Sequence, residues 1–372
     1  MRNRAARAFS LIVAVALVVT TGCAQLTDIH DRPLTLGLGL DAGPMPGDIT
    51  VTTQGLHPAA VGQGGGGGGG SPAGGGGGGS VKWTDISASG RTLGAALAHL
   101  QQNTDRQLYL GQVAVILFGT SLAKKGTLHD LETVFRAPEV AETVQIAVVQ
   151  GEASGFLEKG LKEQASQRVA TFLRVPHPYQ AVLANPLWHF TAQSLALGAA
   201  TYAPMFAPVK DKEGMKYVGT AIFVHGRMVD ELSPQESAAL SWLLKRGGLG
   251  TVSLGTGADE MTLSLRTAGV IWNLRDATHP HITLHVRGEV VSSPGRSWSD
   301  QPATIRKDVS HEMTTELEAV LTKLQADQAD LLGVGERLRE RGALPPGPWG
   351  PHFAQLHFSV SVHLRLVPVK VR

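Results

Sequence analysis

The first 23 residues, MRNRAARAFSLIVAVALVVTTGC, constrain the chain most, because they decide the compartment in which the rest of it folds. Arg2, Arg4 and Arg7 precede an apolar run at residues 11–19, and three small residues follow at 20–22. This order of charged, apolar and small residues is typical of a secretory signal peptide. The apolar run is shorter than the roughly 20 residues that a membrane-spanning helix needs. We therefore predict that residues 1–22 are a cleaved signal peptide.

Cys23 is the only cysteine of the chain and comes directly after these small residues. Exported proteins usually carry cysteines in pairs, and a single cysteine excludes a structural disulfide within the chain. Its position predicts lipidation instead, with a diacylglyceryl thioether on the sulfur and cleavage just before Cys23. The body would then be tethered to the outer face of a membrane. The alternative is an ordinary cleaved signal followed by an incidental cysteine.

The charge of the remaining chain is close to neutral. Without residues 1–22, 30 basic residues stand against 31 acidic ones, and no block of like charges occurs. This pattern gives no indication of a nucleic-acid partner or of a polybasic segment that binds a membrane surface. The 350 residues that remain are enough for two or three domains with cores of their own.

Residues 62–80 contain 14 glycines in 19 positions. Such a segment cannot bury enough surface to offset the entropy of ordering it, so we predict a flexible insertion inside a domain. A phosphate-binding loop is the functional alternative. It is disfavoured because the GxxxxGK[ST] pattern is absent from the sequence and no helical pattern follows directly.

Strand-like and helix-like segments alternate in the first half, which predicts a mixed α/β N-terminal domain over residues 23–205. The predicted strands are 34–40, 48–54, 81–88, 107–119 and 144–149, and the predicted helices are 91–102, 128–135, 153–173 and 187–197.

The second half has the pattern of an antiparallel domain. A hairpin with its turn at residues 225–226 leads to Ser233, an N-cap with Glu236 three residues on, which predicts a capping box. Two long strands, a long helical region and a final alternating strand follow at 261–274, 281–292, 313–341 and 356–366. We predict a C-terminal domain, residues 215–372, with an antiparallel sheet covered by a long helix. The fold class is therefore α+β.

Few residues indicate chemistry. His279, His281 and His285 share one strand face, but no HExxH or comparable spacing accompanies them, and solvated histidines are the simpler interpretation. The GEASG sequence at 151–155 has its serine one place late for a nucleophile elbow. Several carboxylates lack distinctive pairing: Glu158, Asp230, Glu231 and Glu316. We predict no catalytic, metal or cofactor site, and hence a binding or assembly module that is not an enzyme.

Several segments, in order along the chain, resemble the Ger(x)C family, the lipoprotein C subunits of spore germinant receptors. The match begins with the signal peptide and its cysteine. It continues through LGLGLD at 36–41, GRTLGAALAHLQQNTDRQLYLGQVAVILFG at 90–119, FRAPEV at 135–140, GTAIFVHGRMVDELSPQESAALSWL at 219–243, LQADQADLLGVGERL at 324–338, Trp349 and the alternating final strand.

The resemblance implies a non-enzymatic subunit on the outer surface of the spore's inner membrane, needed for nutrient-triggered germination. It implies assembly with two integral membrane subunits, A and B, of which B resembles amino-acid transporters. It implies no nucleic-acid partner, cofactor or tightly bound small molecule. The hairpin around residues 225–226 and the polar face of the last strand are candidate surfaces for partner contacts.

Two other classes stay open. A lipid-anchored solute-binding or scaffold protein of the cell envelope is the alternative, although the two halves differ where such a binding protein has two similar lobes. A tethered hydrolase would need converging acid–base or metal residues, which the sequence does not indicate.

Overall fold

A computed structural model describes most of the chain after residue 33. The described residues are 34–56, 83–104, 108–126, 128–137, 139–159, 164–175, 177, 181–209, 214–244, 249–254, 261–292 and 302–367. No described helix is both long enough and apolar enough to cross a membrane.

These residues form thirteen strands and ten helices. The strands are β1 Leu34–Ala42, β2 Ile49–Leu56, β3 Trp83–Gly90, β4 Val115–Gly119, β5 Gln145–Val149, β6 Asn185–Pro186, β7 Ala200–Pro208, β8 Met215–Val224, β9 Arg227–Leu232, β10 Leu249–Leu254, β11 Met261–Asn273, β12 His281–Ser292 and β13 Ser359–Val367. The helices are α1 Leu93–Gln102, α2 Thr120–Lys125, α3 Leu128–Phe135, α4 Ala153–Lys159, α5 Ala165–Arg174, α6 Leu187–Leu195, α7 Pro234–Leu243, α8 Pro302–Ala326, α9 Val334–Glu340 and α10 Trp349–Ala354.

The first sheet has the order β3-β2-β1-β4-β5-β7-β8-β9, with β6 paired to β5. Its centre, β1-β4-β5-β7, is parallel, and antiparallel strands flank it on both sides. The central strands are apolar on both faces because helices cover both. Helices α1, α2, α3 and α6 pack on one face, and α4 and α5 pack on the other.

The second sheet has the order β10-β11-β12-β13. Its inner face carries Leu263, Leu265, Ile282, Leu284 and Val286, which pack against one side of the long helix α8. The core side chains of α8 recur at helical spacing, namely Val309, Met313, Leu317, Val320, Leu321 and Leu324. The same core includes residues of α7, α9 and α10 and the ends of β7 and β8.

The structure confirms the predicted fold class, a mixed α/β first half and a sheet covered by a long helix in the second. Strands β1 and β2 pair antiparallel, and the predicted hairpin turns at His225 and Gly226, both with positive φ. The predicted capping box is present: Ser233 Oγ accepts from Glu236 N, and Glu236 Oε2 accepts from Ser233 N at 2.7 Å.

One pairing of the second sheet differs from the antiparallel prediction, because β13 runs parallel to β12. The chain between these strands crosses over through α8, α9 and α10, and parallel neighbours require a long crossover connection of this kind. The predicted strand at 107–119 is also shorter, since only Val115–Gly119 pairs in the sheet.

The residue contacts group Pro33–Arg372 into one compact unit, within which β7 and β8 pair across the predicted boundary between residues 205 and 215. The division into domains 23–205 and 215–372 stays a prediction. The predicted signal peptide, Cys23 and the glycine-rich segment at 62–80 lie outside the described residues.

Candidate functional site

At the tip of the predicted contact hairpin, His225 is exposed and Gly226 is buried. His225 has φ +49, and its N–H donates to the carbonyl of Ala199 at 2.9 Å, so the turn is held against the loop after α6. Val229 on β9 is 47% exposed. The hairpin therefore presents a mostly polar edge with one exposed aliphatic side chain.

The histidines of the polar sheet face are brought together in pairs. His285 on β12 stacks on His363 on β13 with ring centroids 5.2 Å apart, and His279 stacks on His357 at 5.1 Å. His281 Nδ1 lies 2.7 Å from Ser359 Oγ. His279, His281 and His285 thus each have a different neighbour. Among the described residues, no group of three His, Cys, Asp or Glu side chains could hold a metal ion.

A lysine on α8 connects the carboxylates near the hairpin. Lys323 Nζ lies 3.4 Å from Asp230 and 3.5 Å from Glu236, and it donates to the carbonyl of Glu231 at 2.6 Å. Burial and the charge of Asp230 raise the pKa of Asp327, whereas Lys323 lowers it. This cluster ties β9 and α7 to α8, which is a structural role.

Glu316 on α8 is a half-buried carboxyl group whose pKa is raised well above its ordinary value. Burial, followed by the charge of Glu312 one turn earlier, raises its pKa from 4.5 to about 7. The folded protein therefore binds a proton more readily than the unfolded chain between about pH 4.5 and pH 7. In that interval this group makes the folded state less stable as the pH rises.

We expect Glu316→Gln to raise the free energy of unfolding by about 1 kcal/mol at pH 8, a figure reduced for the partial exposure of the side chain. At pH 4.5 the two proteins should unfold alike. Urea unfolding at both pH values measures the difference. The exposed neighbour Glu318 provides the control Glu318→Gln, and an equal gain in that variant would contradict the assignment.

Asp41, at the end of β1, is a buried carboxylate whose partners the sequence did not indicate. It is 4% exposed, and it accepts from Ala153 N at 2.7 Å and from Ser154 N at 2.8 Å. These amides belong to the first turn of α4, whose N–H groups lack partners within the helix. Asp41 therefore joins a central strand to the helix layer above it.

Gln54 on β2 makes a second buried connection on the same side of the sheet. Its amide donates to the carbonyl of Leu157 at 3.1 Å, and its carbonyl oxygen accepts from Ser166 N and Oγ at 3.0 and 2.9 Å. Burial, together with the charge of Glu158, raises the pKa of the nearby Asp85, while a hydrogen bond with Gln54 lowers it. Both α4 and α5 are thus held by one side chain.

Asp330 forms the third buried centre, between α8 and α9. Its carboxylate is 5% exposed and accepts from Val334 N at 2.9 Å, Gly335 N at 2.8 Å and Trp349 Nε1 at 2.8 Å. Burial raises the pKa of Asp330, whereas the hydrogen bonds from these three donors lower it. Trp349 lies so close to Gly335 that a Cβ there would come within 2.7 Å of the indole.

Helix α9 also contacts the first half of the chain. Glu336 accepts from Leu197 N at 3.1 Å and forms an ion pair with Arg339. The Asp330 centre therefore positions the helix that joins the two halves. The motif LQADQADLLGVGERL contains both acids, but the sequence alone did not assign roles to them.

Chain-wide comparison identifies the family. The N-terminal domain profile of spore germination proteins matches residues 25–208, and the C-terminal profile, described as spore germination B3/GerAC like, matches residues 218–368. The chain belongs to the GerAC-like spore germination proteins. The predicted family resemblance is confirmed.

Relatives agree with this membership. The putative spore germination protein YfkR of Bacillus subtilis is 23% identical, over 78% of this chain and 78% of its own. The spore germination protein GerQC of Bacillus cereus is 25% identical, over 64% of this chain and 68% of its own. The crystal structure of the GerBC protein superposes with a TM-score of 0.53 at 15% identity, covering 89% of this chain and 97% of GerBC. The GerAC-like chain therefore has the GerBC fold.

Proposed function

We propose that the protein is the lipid-anchored C subunit of a nutrient germinant receptor and is not an enzyme. The observation that carries the proposal is the match of both GerAC-like profiles, in order, over residues 25–208 and 218–368. The names of the relatives GerQC and YfkR support a role in spore germination. The family is not a known enzyme family, and the three buried centres described above hold helices in place.

In this proposal residues 1–22 direct export, and Cys23 carries the lipid that holds the body on the outer surface of the spore's inner membrane. The A and B integral membrane subunits are the partners, and neither nucleic acid nor a tightly bound small molecule is required. Two or more acyl chains anchor a protein stably where one chain binds only marginally.

The test is nutrient-triggered release of dipicolinic acid from spores that lack this gene and the genes of its homologues. Amino acids and sugars are supplied separately, so that one receptor is examined at a time. We expect the wild-type gene to restore the response to one nutrient class and Cys23→Ala to fail. An unchanged response to every nutrient after the wild-type gene is returned would contradict the proposed function.

Detergent partition and immunoblotting of the same spores provide the control. The wild-type protein should enter the detergent phase, whereas Cys23→Ala should remain in the aqueous phase. The matched variant Thr20→Leu alters the same segment and keeps the cysteine, so it should retain both partition and germination. Normal nutrient-triggered germination with Cys23→Ala, at the normal level of protein, would contradict the proposed need for a lipid anchor.

A further inference from the structure

The outer face of the second sheet carries a row of arginines across three neighbouring strands. Arg266 on β11 is paired directly with Arg287 on β12, and Arg287 is paired directly with Arg365 on β13. All three side chains are exposed. Directly paired side chains on a sheet lie about 5 Å apart at Cβ, so the row spans about 10 Å.

Within the part of the chain that the structure describes, no ion pair neutralises this row. None of the three arginines makes an ion pair there, and the one acidic side chain that alternates onto this face, Glu289, is two residues beyond Arg287 and likewise forms no ion pair. Like charges directly opposite each other in a sheet destabilise it. An anion from outside would relieve this repulsion.

The surroundings of the row add histidine rings and exposed aliphatic surface. The stacked pair His285 and His363 occupies the rung next to Arg287 and Arg365. Ile271 on β11 pairs with Thr283, is 57% exposed and alternates onto the same face. Val291 on β12, at a register shift of the β11–β12 pairing, is 47% exposed. Arginine in turn binds phosphate in a bidentate manner through its planar guanidinium.

We propose that this arginine row docks the protein on the anionic phospholipid headgroups of the membrane that carries its anchor. The inference rests on the proposed lipid anchor at Cys23. Ten residues separate Cys23 from the start of β1, and a fully extended segment of this length reaches about 35–40 Å. The tether therefore keeps the body next to the membrane surface, where weak contacts act at a high effective concentration.

A sheet face that carries three cations and, two rungs away, the exposed aliphatic side chain of Ile271 matches a headgroup layer. Basic side chains reach the phosphates while apolar ones enter the interface between headgroup and acyl chain. A docked face would hold the second sheet against the membrane. The hairpin and the first sheet would then keep a set orientation toward membrane-embedded partners.

The test is co-sedimentation of residues 23–372, with Cys23→Ser so that no lipid is attached, with two kinds of vesicle. One contains phosphatidylglycerol in phosphatidylcholine, and the other contains phosphatidylcholine alone. We expect binding to the anionic vesicles only. The triple variant Arg266→Gln, Arg287→Gln, Arg365→Gln should weaken that binding by roughly fivefold for each arginine, or on the order of 100-fold in all.

A second triple variant, Arg168→Gln, Arg174→Gln, Arg341→Gln, removes the same charge from exposed positions elsewhere and should bind like the wild type. Equal loss in the two triple variants would mean nonspecific attraction and would overturn the proposal. The proposal would also be overturned by equal binding to both kinds of vesicle, or by row-dependent binding of inorganic phosphate or a polyglutamate peptide without binding to vesicles. The temperature of thermal unfolding should be unchanged or slightly higher in the first triple variant, because the repulsion among the three arginines is removed.

The two proposals fail separately. Vesicle binding is measured without the lipid, so its absence would leave the germination result of Cys23→Ala standing. Conversely, the arginine row could bind vesicles while spores with Cys23→Ala germinate normally. That result would support membrane docking by the row and would reject the lipid anchor.

Discussion

Asp330→Ala is expected to lower the free energy of unfolding by about 3–5 kcal/mol, because it leaves three buried N–H donors without an acceptor. Two of the donors open helix α9, and the third is the indole N–H of Trp349, which packs on Gly335. Losing the carboxylate should therefore loosen α9 and its contact with Leu197. Urea unfolding followed by far-ultraviolet circular dichroism measures the loss.

The exposed acid Asp308 on α8 provides the control for this change, since Asp308→Ala removes the same carboxylate without a buried partner. We expect a change below about 0.5 kcal/mol there. Asp330→Asn keeps one acceptor oxygen and should fall between Asp330→Ala and the wild type. A loss below 1 kcal/mol for Asp330→Ala would show that water replaces the carboxylate, contrary to its burial.

Gly219→Ala is expected to cost about 3–5 kcal/mol through a clash with backbone, which cannot move as a side chain can. Gly219 in β8 has φ +139, and a Cβ there would lie 1.9 Å from the carbonyl oxygen of Leu232 on the paired strand β9. Overpacking and a φ that L-residues rarely adopt both contribute. The hairpin that presents residues 225–226 should be displaced as a result.

Gly47→Ala separates the two contributions. Gly47 also has a positive φ, +89, but no atom lies within 4 Å of a Cβ placed there. We expect a cost of about 1 kcal/mol from the backbone alone. Thermal or urea unfolding of both variants gives the comparison, and equal losses would mean that the β9 carbonyl can shift aside.

Features set by short stretches of sequence were predictable. The capping box of Ser233 and Glu236 joins residues three apart, and the turn at residues 225–226 follows from a glycine between two apolar runs. The alternation of β13 identified its buried and exposed faces before its partner was known. Such patterns depend on helix and strand geometry, which the local sequence sets.

Features that depend on the path of the chain were not predictable in the same way. The direction of β13 follows from where α8, α9 and α10 return the chain beside β12, and this is a matter of packing. Asp41 and Gln54 were passed over because their partners are more than 100 residues away. A polar residue at the end of an apolar strand, as in LGLGLD, is the signal that could have indicated Asp41.

Local sequence patterns were enough to predict the class of the elements, the α+β fold and membership of the GerAC-like family, and they predict the lipid anchor at Cys23. The sequence also showed a nearly neutral chain without a charged block, from which no membrane-binding surface was expected. Only the tertiary structure placed Arg266, Arg287 and Arg365 in one row. The reason is physical: composition counts charges along the chain, whereas strand register decides which of them stand side by side.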